Sequence, residues 1–493
     1  MSVESLADHM ERPLGRGHTP ADACTGAAGG AACGDLIRIS VEVDHLSQDG
    51  VIADAGFDAS GCGAALAAGS ATVGLVHGAS LLEAARIGAG EIAAELGGLI
   101  PSKLHAAELA ADALHRALGW AARRQASLTP DSSRTLVAMS GGVDSAVAAL
   151  LVAGDGQESV AVTLELWSDP ENDGERSCCS AQAVRSARAI AHGMGMAHFS
   201  IDLREEFRAG VVDGWLADHA AGLTPNPCVR CNGNVRLDAM LELAERLGAQ
   251  ALATGHYART HTHEGHEPLL RMAVDENKDQ SYALAGLSPG SLARLRFPLG
   301  ALTKPEVREL ALRAGLEVAR RPDSQDLCFL AGTGRAAFLA RHGGLKRRTG
   351  AIVDRDGRKL GEHGGVHSVT VGQRHGLGIG GGEPLYVIAT DARANTVTVG
   401  SREQLRTGRV SVREVTLHRG GACVDAVKVR YRGRRMPCRV EGEPGAGAHE
   451  RVELRMLDEI ERTAPGQIAC LYAGDAIVGH GTIAVGADAG PGA

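Results

Sequence analysis

The sequence has few aromatic residues and no long run of apolar ones. Phe, Trp and Tyr make up 3% of the 493 residues, so the cores are expected to pack Ala- and Gly-rich segments. No stretch has the pattern of a membrane span or a signal peptide, which predicts a cytoplasmic protein with no membrane partner. A chain of this length exceeds one typical core, so two to four domains are expected.

A strong charge of one sign is missing as well. The formal net charge is −8 and 44% of the residues are hydrophobic, which is typical of a soluble globular protein. This balance does not exclude RNA binding, because binding depends on local charge. Lys and Arg are in excess between residues 335 and 362, which fits a nucleic-acid surface or an ordinary solvated face.

Structural disulfides are not expected either. In a cytoplasmic protein the 11 cysteines should be reduced, and clustered ones should serve metal, sulfur or redox chemistry. Cys228 and Cys231 form a C-x-x-C pair on a predicted proline-pinned loop, and Cys328 lies on a later loop. No second C-x-x-C completes a zinc ribbon, so a metal site, a redox pair and a cluster all stay open.

A glycine-rich string lies between a predicted strand at 135–139 and a predicted helix at 146–153. The string is S-G-G-V-D-S, from Ser140 to Ser145. Adjacent glycines let backbone N–H groups and a helix N-terminus approach a phosphate, and Asp144 could hold Mg²⁺ beside it. The Lys and Ser/Thr of a Walker loop are absent, so γ-phosphoryl transfer is not expected. The string resembles the PP-loop of ATP pyrophosphatases, which cleave ATP between its α and β phosphates.

The N-terminal region contains four separated residues of metal-ligand type. They are Cys33, Asp35, Cys62 and His105, and all lie near the ends of predicted elements. These elements are strands at 36–43 and 51–57 and helices at 64–76, 80–96 and 103–120, whereas the first 20 residues are expected to be unstructured. Element ends gathered in this way are typical of a zinc or cluster site.

Three strings in this region carry a family resemblance. C-G-D, G-C-G-A-A-L-A-A-G-S and K-L-H-A-A-E-L-A-A-D-A-L resemble the IscU/NifU-type iron–sulfur scaffold. The family has a third cysteine directly after the His, where this chain has Ala106. The resemblance therefore implies Zn²⁺, a weakly bound cluster or a persulfide here, and a domain kept only for docking stays open.

Strand–helix alternation from residue 135 predicts a second fold type. It indicates an α/β domain with a doubly wound parallel sheet, whose ligands lie at the carboxyl ends of the strands. Short, evenly spaced strands near the C-terminus predict a small β-barrel. The expected fold is multidomain: an α+β scaffold-like domain at 20–122, a linker at 123–133, the PP-loop domain at 134–332, a small central domain at 333–407 and a barrel at 408–487.

Six motifs in order give the second resemblance. S-G-G-V-D-S, N-P-x-x-x-C-N, A-T-G-H-Y-A-R, K-D-Q-S-Y, S-Q-D-L-C-F and V-G-Q-R-H-G-L-G-I-G resemble the tRNA-specific 2-thiouridylase family of the MnmA type. The resemblance implies Cys231 as nucleophile and Cys328 as the persulfide carrier. It assigns ATP to Ala138, Met139, Ser140, Gly141, Gly142, Val143, Asp144, Ser145, Leu164 and Gly255. It assigns tRNA contacts to Asn226, Pro227, Cys228, His256, Lys278, Asp279, Gln280, Arg430, Tyr431 and Gln467.

The implied reaction is ATP-dependent 2-thiolation of the wobble uridine of tRNA, with sulfur supplied by a cysteine desulfurase or another relay donor. Cys228 stands where the family often has Asp, so Cys228, Cys231 and Cys328 could also ligate an iron–sulfur cluster. The N-terminal domain is expected to supply sulfur or metal in cis. Two alternatives stay open: a PP-loop pyrophosphatase acting on a small molecule, and a non-enzymatic iron–sulfur carrier.

Overall fold

A computed structural model describes residues 6–29, 34–44, 46–169, 180–262, 265–323, 327–330, 333–380 and 383–485. They belong to two compact units. The first contains residues 1–204, 239–256 and 294–329, and the second contains 205–238, 257–293 and 330–493. The predicted ligand Cys33 lies outside the described residues. No helix among the described residues is long and apolar enough to cross a membrane.

The N-terminal part of the first unit is an antiparallel sheet covered by helices. Its elements are α1 (Leu6–Glu11), β1 (Cys24–Gly29), β2 (Leu36–Val43), β3 (Ile52–Ser60), α2 (Gly63–Val76), α3 (Leu81–Ala84), α4 (Ala89–Glu95) and α5 (Leu104–Arg124). The strand order is β1-β2-β3, and alternate residues such as Ile37, Ile39 and Val41 are fully buried, as period-2 alternation predicts.

Two expectations for this region are wrong. The first 20 residues contain α1, because buried His9 hydrogen-bonds through Nδ1 to Ser70 Oγ of α2 at 2.8 Å. The helix expected at 80–96 is two short helices, each with its own N-terminal cap. Ser80 and Glu83 form a capping box at α3, and Glu91 accepts the backbone N–H of Gly88 at α4.

The middle of the chain alternates strands and helices. Its elements are β4 (Asp131–Ala138), α6 (Val143–Gly154), β5 (Glu158–Glu165), α7 (Ala181–Gly193), β6 (Ala197–Asp202), α8 (Arg204–Phe207), α9 (Asp213–Ala220), α10 (Pro227–Cys231), α11 (Leu237–Arg246), β7 (Ala249–Thr254), β8 (Ala258–His261), β9 (Leu269–Met272), α12 (Pro289–Arg294), β10 (Leu295–Arg296) and α13 (Lys304–Arg313).

Five of these strands form the predicted doubly wound sheet of the first unit. The order is β10-β7-β4-β5-β6, and every neighbouring pair is parallel. Small residues fill the space between the sheet and its helices, with Ala149 and Ala187 fully buried beside Val137. The expectation of Ala-rich packing is confirmed here.

Helix α5 also lies along the open edge of this sheet, at β6. Gly119 approaches the β6 backbone so closely that a Cβ there would lie 2.0 Å from the Ser200 carbonyl oxygen. Fully buried His115 has its ring nitrogens 2.7 Å from His198 O and 2.9 Å from Ile87 O. Between α5 and β4 the chain stays bound to the C-terminal end of α11, because Leu128 N donates to Arg246 O at 2.8 Å.

The second unit contains a four-stranded sheet and a closed barrel. Its remaining elements are α14 (Arg335–Gly343), β11 (Gly350–Val353), β12 (Lys359–His363), β13 (Tyr386–Asp391), β14 (Thr396–Gly400), β15 (Arg406–Leu417), β16 (Ala426–Lys428), β17 (Met436–Val440), β18 (Gly447–Glu461), β19 (Ile468–Ala473) and β20 (Ala476–Ile483). The small sheet has the order β12-β11-β14-β13. The barrel runs β15-β18-β17-β16-β19-β20 and closes because β15 also pairs with β20, which confirms the predicted barrel.

The contact at Gly119 gives a stability prediction. Gly119→Ala should destabilise the chain by about 1–3 kcal/mol, because the new methyl group overlaps the β6 carbonyl. Gly90→Ala in α4 is the matched control, since no atom lies within 4 Å of its Cβ position. The control should hold or raise the melting temperature, because Ala is the better helix former. Thermal unfolding checks both, and equal melting temperatures would contradict the packing of α5 against β6.

Candidate functional site

The glycine-rich string forms a tight turn between β4 and α6. Gly141 has φ +72°, and a Cβ there would lie 2.8 Å from Ala183 O, so this position requires glycine. Ser145 Oγ accepts the Ser140 N–H at 3.1 Å and donates to Gly142 O at 3.0 Å, which closes the turn. Gly255, at the end of β7, would place a Cβ 2.7 Å from Ser145 N. These contacts bring the predicted ATP residues of the loop and Gly255 together.

Cations that the sequence reasoning missed surround this loop. Lys304 Nζ, on a residue only 7% exposed, lies 2.7 and 2.8 Å from the two carboxylate oxygens of Asp144 and 2.9 Å from Asp323. Arg321 donates to Gly141 O at 2.9 Å. Lys304 is the first residue of α13, where a positive charge opposes the helix dipole. A lysine at the first position of a helix, where the dipole disfavours it, is the sequence signal that could have pointed to this site.

The end of β5 extends beyond its neighbour β4. Pairing between these strands ends at Ala138 and Val162, with one further bond from Met139 N to Val162 O at 2.7 Å. β5 continues to Glu165 paired with β6, where Leu164 lies opposite Ile201. Leu164, predicted to bind ATP, therefore lies on the part of β5 that extends past its pairing with β4.

Three of the four predicted N-terminal ligands come together. Ligand atoms of Asp35, Cys62 and His105 lie within 4.8 Å of one another, which suits a single ion. Asp35 Oδ1 accepts the Cys62 N–H at 2.9 Å, while Asp35 Oδ2 lies 3.2 Å from both Cys62 Sγ and His105 Nε2. Ala106, the position of the family's third cysteine, is fully buried.

The electrostatics of this cluster favour a bound cation. Burial raises the pKa of Asp35, but hydrogen bonds from Cys62 and His105 outweigh it and lower that pKa overall. His105 Nδ1 lies 3.0 Å from Ser102 O, so donation to this carbonyl turns Nε2 toward Asp35. With Nδ1 facing Ser102 O, Nε2 is the ring nitrogen placed to bind a metal ion that Asp35 shares. The residue set fits Zn²⁺ without a third cysteine.

In the second unit the C-x-x-C pair lies on a helix, which corrects the predicted loop. α10 starts at Pro227, and Asn226 caps it by accepting the Cys228 N–H at 3.0 Å. Cys228 and Cys231 are therefore one turn apart on α10. Burial raises the pKa of the Cys228 thiol, which keeps it protonated. Cys231 is buried, and Cys328 belongs to the first unit.

Several predicted tRNA residues are used inside the second unit. Asp279 is buried and accepts hydrogen bonds from Ala273 N, Ser281 N and Ser281 Oγ, and Lys428 Nζ lies 3.5 Å away. Gln280 accepts the Tyr257 N–H at 2.9 Å, and Gln467 donates to Thr224 O next to the thiol helix.

The other predicted tRNA residues are more accessible. Arg430 and Tyr431 are exposed, and the Tyr431 ring meets buried Tyr282 edge-on at 6.0 Å. Lys278 is half-buried. His256 belongs to the first unit, where its Nδ1 lies 2.9 Å from Thr254 Oγ1.

Comparison with known families gives four matches along the chain. A NifU-like N terminal domain matches residues 2–127, and a tRNA methyl transferase HUP domain matches residues 133–332. A tRNA methyl transferase PRC-barrel domain matches 336–401, and an aminomethyltransferase beta-barrel domain matches 412–483.

Curated relatives agree with this order. The bifunctional protein NifU/MnmA of Rubrobacter xylanophilus is 43% identical over 97% of this chain and 98% of its own length. The chain belongs to the bifunctional NifU/MnmA family. The tRNA-specific 2-thiouridylases MnmA of Geobacter metallireducens and Sorangium cellulosum are 41% and 42% identical over 71% of this chain, and over 96% and 92% of their own lengths. Both predicted resemblances are confirmed.

The NifU-like part of this family member gives a metal-binding prediction. Asp35→Ala and His105→Ala should each weaken Zn²⁺ binding more than about tenfold, because each removes a direct ligand. Competition with a colorimetric zinc chelator measures the change. His18→Ala is the control, since His18 is an exposed histidine paired with Asp54 at 2.7 Å. Zn²⁺ affinity that stays the same in both ligand variants would exclude this site.

Proposed function

We propose that this chain catalyses ATP-dependent 2-thiolation of the wobble uridine of tRNA. The observation that carries the proposal is the PP-loop braced by buried Lys304, in a chain that also holds thiols at the family's two reactive positions, Cys231 and Cys328. Relatives named tRNA-specific 2-thiouridylase match this part of the chain at 41–42% identity. A tRNA substrate supports a cytoplasmic location for the enzyme.

The first chemical step activates a poor electrophile. The C2 oxygen of uridine leaves poorly, so this oxygen attacks the α-phosphorus of ATP, the α–β phosphoanhydride bond breaks and pyrophosphate departs. Backbone N–H groups of Gly141 and Gly142 and the N-terminus of α6 supply positive potential for the pyrophosphate charge, while Lys304 holds Asp144 in the first turn of that helix. Adenylation converts the oxygen into a leaving group.

Asp144, the predicted Mg²⁺ ligand, is already paired with a lysine. Both of its carboxylate oxygens accept hydrogen bonds from Lys304. This arrangement does not fit an open carboxylate ligand for Mg²⁺, since Lys304 already neutralises the charge. We assign Asp144 to positioning Lys304 instead.

The second step transfers sulfur. The terminal sulfur of a Cys328 persulfide attacks C2, and AMP leaves with the former C2 oxygen. The Cys231 thiolate then attacks Cys328 Sγ, which releases 2-thiouridine and forms a Cys231–Cys328 disulfide. An external dithiol must reduce this disulfide before the next turnover. In the alternative route Cys228, Cys231 and Cys328 would be the residues that hold an iron–sulfur cluster, and such a cluster would supply the sulfur in place of a persulfide.

The tRNA contacts divide into surface and support. Arg430 and Tyr431 are exposed, which supports direct contact with phosphates or bases. Asn226 and Pro227 start the thiol helix beside Cys228, so they would meet the flipped uridine. We assign Asp279, Gln280 and Gln467 to holding these surfaces, because their side chains bond within the protein. Lys278 and His256 complete the proposed set.

The NifU-like domain is proposed to supply sulfur or metal in cis. Cys62 lies beside Asp35 and His105, a set that can hold Zn²⁺ or orient a persulfide, and Cys33 is the second candidate thiol. The partner that loads it would be a cysteine desulfurase or another relay donor.

Two variants should separate the two chemical steps. Lys304→Met should lower tRNA-dependent pyrophosphate release by about a hundredfold, because it leaves the negative charges of Asp144 and Asp323 uncompensated beside the loop that would hold the phosphates. Cys328→Ser should retain pyrophosphate release but form no 2-thiouridine. Release of labelled pyrophosphate and nucleoside analysis of the tRNA measure the two products.

Arg313→Met is the control for Lys304, because Arg313 is exposed at the far end of the same helix. Wild-type amounts of 2-thiouridine from Cys328→Ser would exclude the proposed persulfide carrier. Pyrophosphate release without tRNA, on a small molecule instead, would favour the alternative pyrophosphatase, and its absence under all conditions would favour a non-enzymatic carrier.

Sulfur donation in cis is tested in the full chain. With a cysteine desulfurase and its cysteine substrate limiting, Cys62→Ser should form 2-thiouridine more slowly than wild type. It should recover when free sulfide is abundant, because sulfide can attack the adenylated C2 directly and displace AMP without a persulfide. Cys423→Ser is the control, an exposed cysteine of the second unit. Equal rates for wild type and Cys62→Ser at limiting donor would mean that Cys62 does not donate sulfur.

A further inference from the structure

One ion pair joins the NifU-like domain directly to the end of β5. Arg116 of α5 donates from Nε to Glu165 Oε1 at 3.0 Å and from Nη2 to Glu165 Oε2 at 2.9 Å. The Glu165 side chain is 7% exposed, so this carboxylate depends on Arg116 for its partner. Arg116 Nη1 also donates to Ala27 O of β1 at 2.7 Å, which anchors the guanidinium in its own domain.

The strand end held by this pair is the one that carries Leu164. Beyond Val162, β5 pairs with β6 but, within the described residues, it does not pair with β4. A strand end supported on one side is easier to displace than one paired on both sides. The Arg116 pair therefore supplies a second support for the backbone beside Leu164.

The helix that carries Arg116 is itself fixed. His105, Glu108, Asp112 and Arg116 recur at helical spacing and share one face of α5. Arg185 pairs with Glu108 at 3.2 Å and with Asp112 at 2.7 Å, and Arg188 also pairs with Asp112. α5 is thus held to α7 along the same face that presents Arg116 to β5.

We propose that Arg116 is a positioning residue for the ATP site, acting from the NifU-like domain through Glu165 on the backbone at Leu164. The inference rests on the proposed ATP-dependent function and adds to it that the NifU-like domain is needed for ATP affinity, whatever it does with sulfur. Arg116 touches no reacting atom. When it is removed, the buried Glu165 carboxylate has to turn toward water, and the neighbouring backbone moves with it.

The experiment measures ATP affinity and turnover in the full chain. Arg116→Ala should raise the Kd for ATP, and the KM for ATP in thiolation, by about fivefold or more. The kcat at saturating ATP should stay unchanged, because bound ATP restores the strand end. Glu165→Gln should show the same shift, and the double variant should add nothing further, since both changes break one interaction.

Arg86→Ala is the matched control. Arg86 also belongs to the NifU-like domain and pairs with β5, but at Glu158, the opposite end of that strand, 3.8 Å away. Its ATP affinity should equal that of wild type, because ligands bind at the carboxyl ends of parallel strands. Arg116→Lys, which keeps the charge but not the paired geometry, should fall between wild type and Arg116→Ala.

Wild-type ATP affinity in Arg116→Ala, or an equal loss in Arg86→Ala, would overturn the proposal. A lower kcat and melting temperature with an unchanged KM would also overturn it, since that pattern indicates a structural role alone. If Arg116→Ala does not fold, the Arg116→Lys and Glu165→Gln measurements decide by the same criteria. Failure of wild type to bind ATP or form 2-thiouridine would instead refute the proposed function.

Discussion

The first unit depends on one helix that serves two cores. α5 packs on β1 and β2 through a stripe of Ala and Leu, and it also covers the edge strand β6 through His115 and Gly119. An uncovered edge strand exposes unpaired backbone groups and invites aggregation, so covering β6 protects the parallel sheet. Because the same helix carries His105 in its first turn and Arg116 further along, the Asp35–Cys62–His105 cluster and the parallel sheet share one rigid element.

The lysine beside the PP-loop, Lys304, lies where both burial and the helix dipole disfavour a positive charge. Lys304 combines burial, which disfavours a charged ammonium, with a helix N-terminus, which repels it. Asp144 and Asp323, at 2.7 and 2.9 Å, compensate both penalties. This compensated ion pair, held beside a turn that requires glycine at Gly141, fixes the geometry of the loop whose backbone N–H groups face the proposed phosphates. Burying Lys304 in this position costs stability, so the arrangement is explained by function and not by folding.

Sequence alone predicted the elements that local pattern determines. Alternation over residues 36–43 matches β2, and the glycine string links β4 to α6 and forms the first turn of that helix from Val143 onward. It did not predict α1, the helical position of Cys228, or Lys304 at the loop, because each depends on a contact distant in sequence or on a cap. His9 reaches Ser70, and Lys304 reaches Asp144 across 160 residues. The site motifs were recognisable because their glycines and cysteines are needed at fixed positions in a short segment. The residues that hold these segments in place lie far away in the sequence and carry no such pattern.

Fixed packing also changes how sulfur delivery in cis must work. A flexible tether raises the local concentration of a donor by letting it search a volume around the acceptor. Here the segment after α5 is hydrogen-bonded to α11, and Arg116, Asp112 and His115 fix the NifU-like domain against β5, α7 and β6. The NifU-like domain therefore cannot search freely while this interface holds. Transfer of sulfur in cis, if the domain performs it, therefore cannot draw its local concentration from a tethered search by the whole domain.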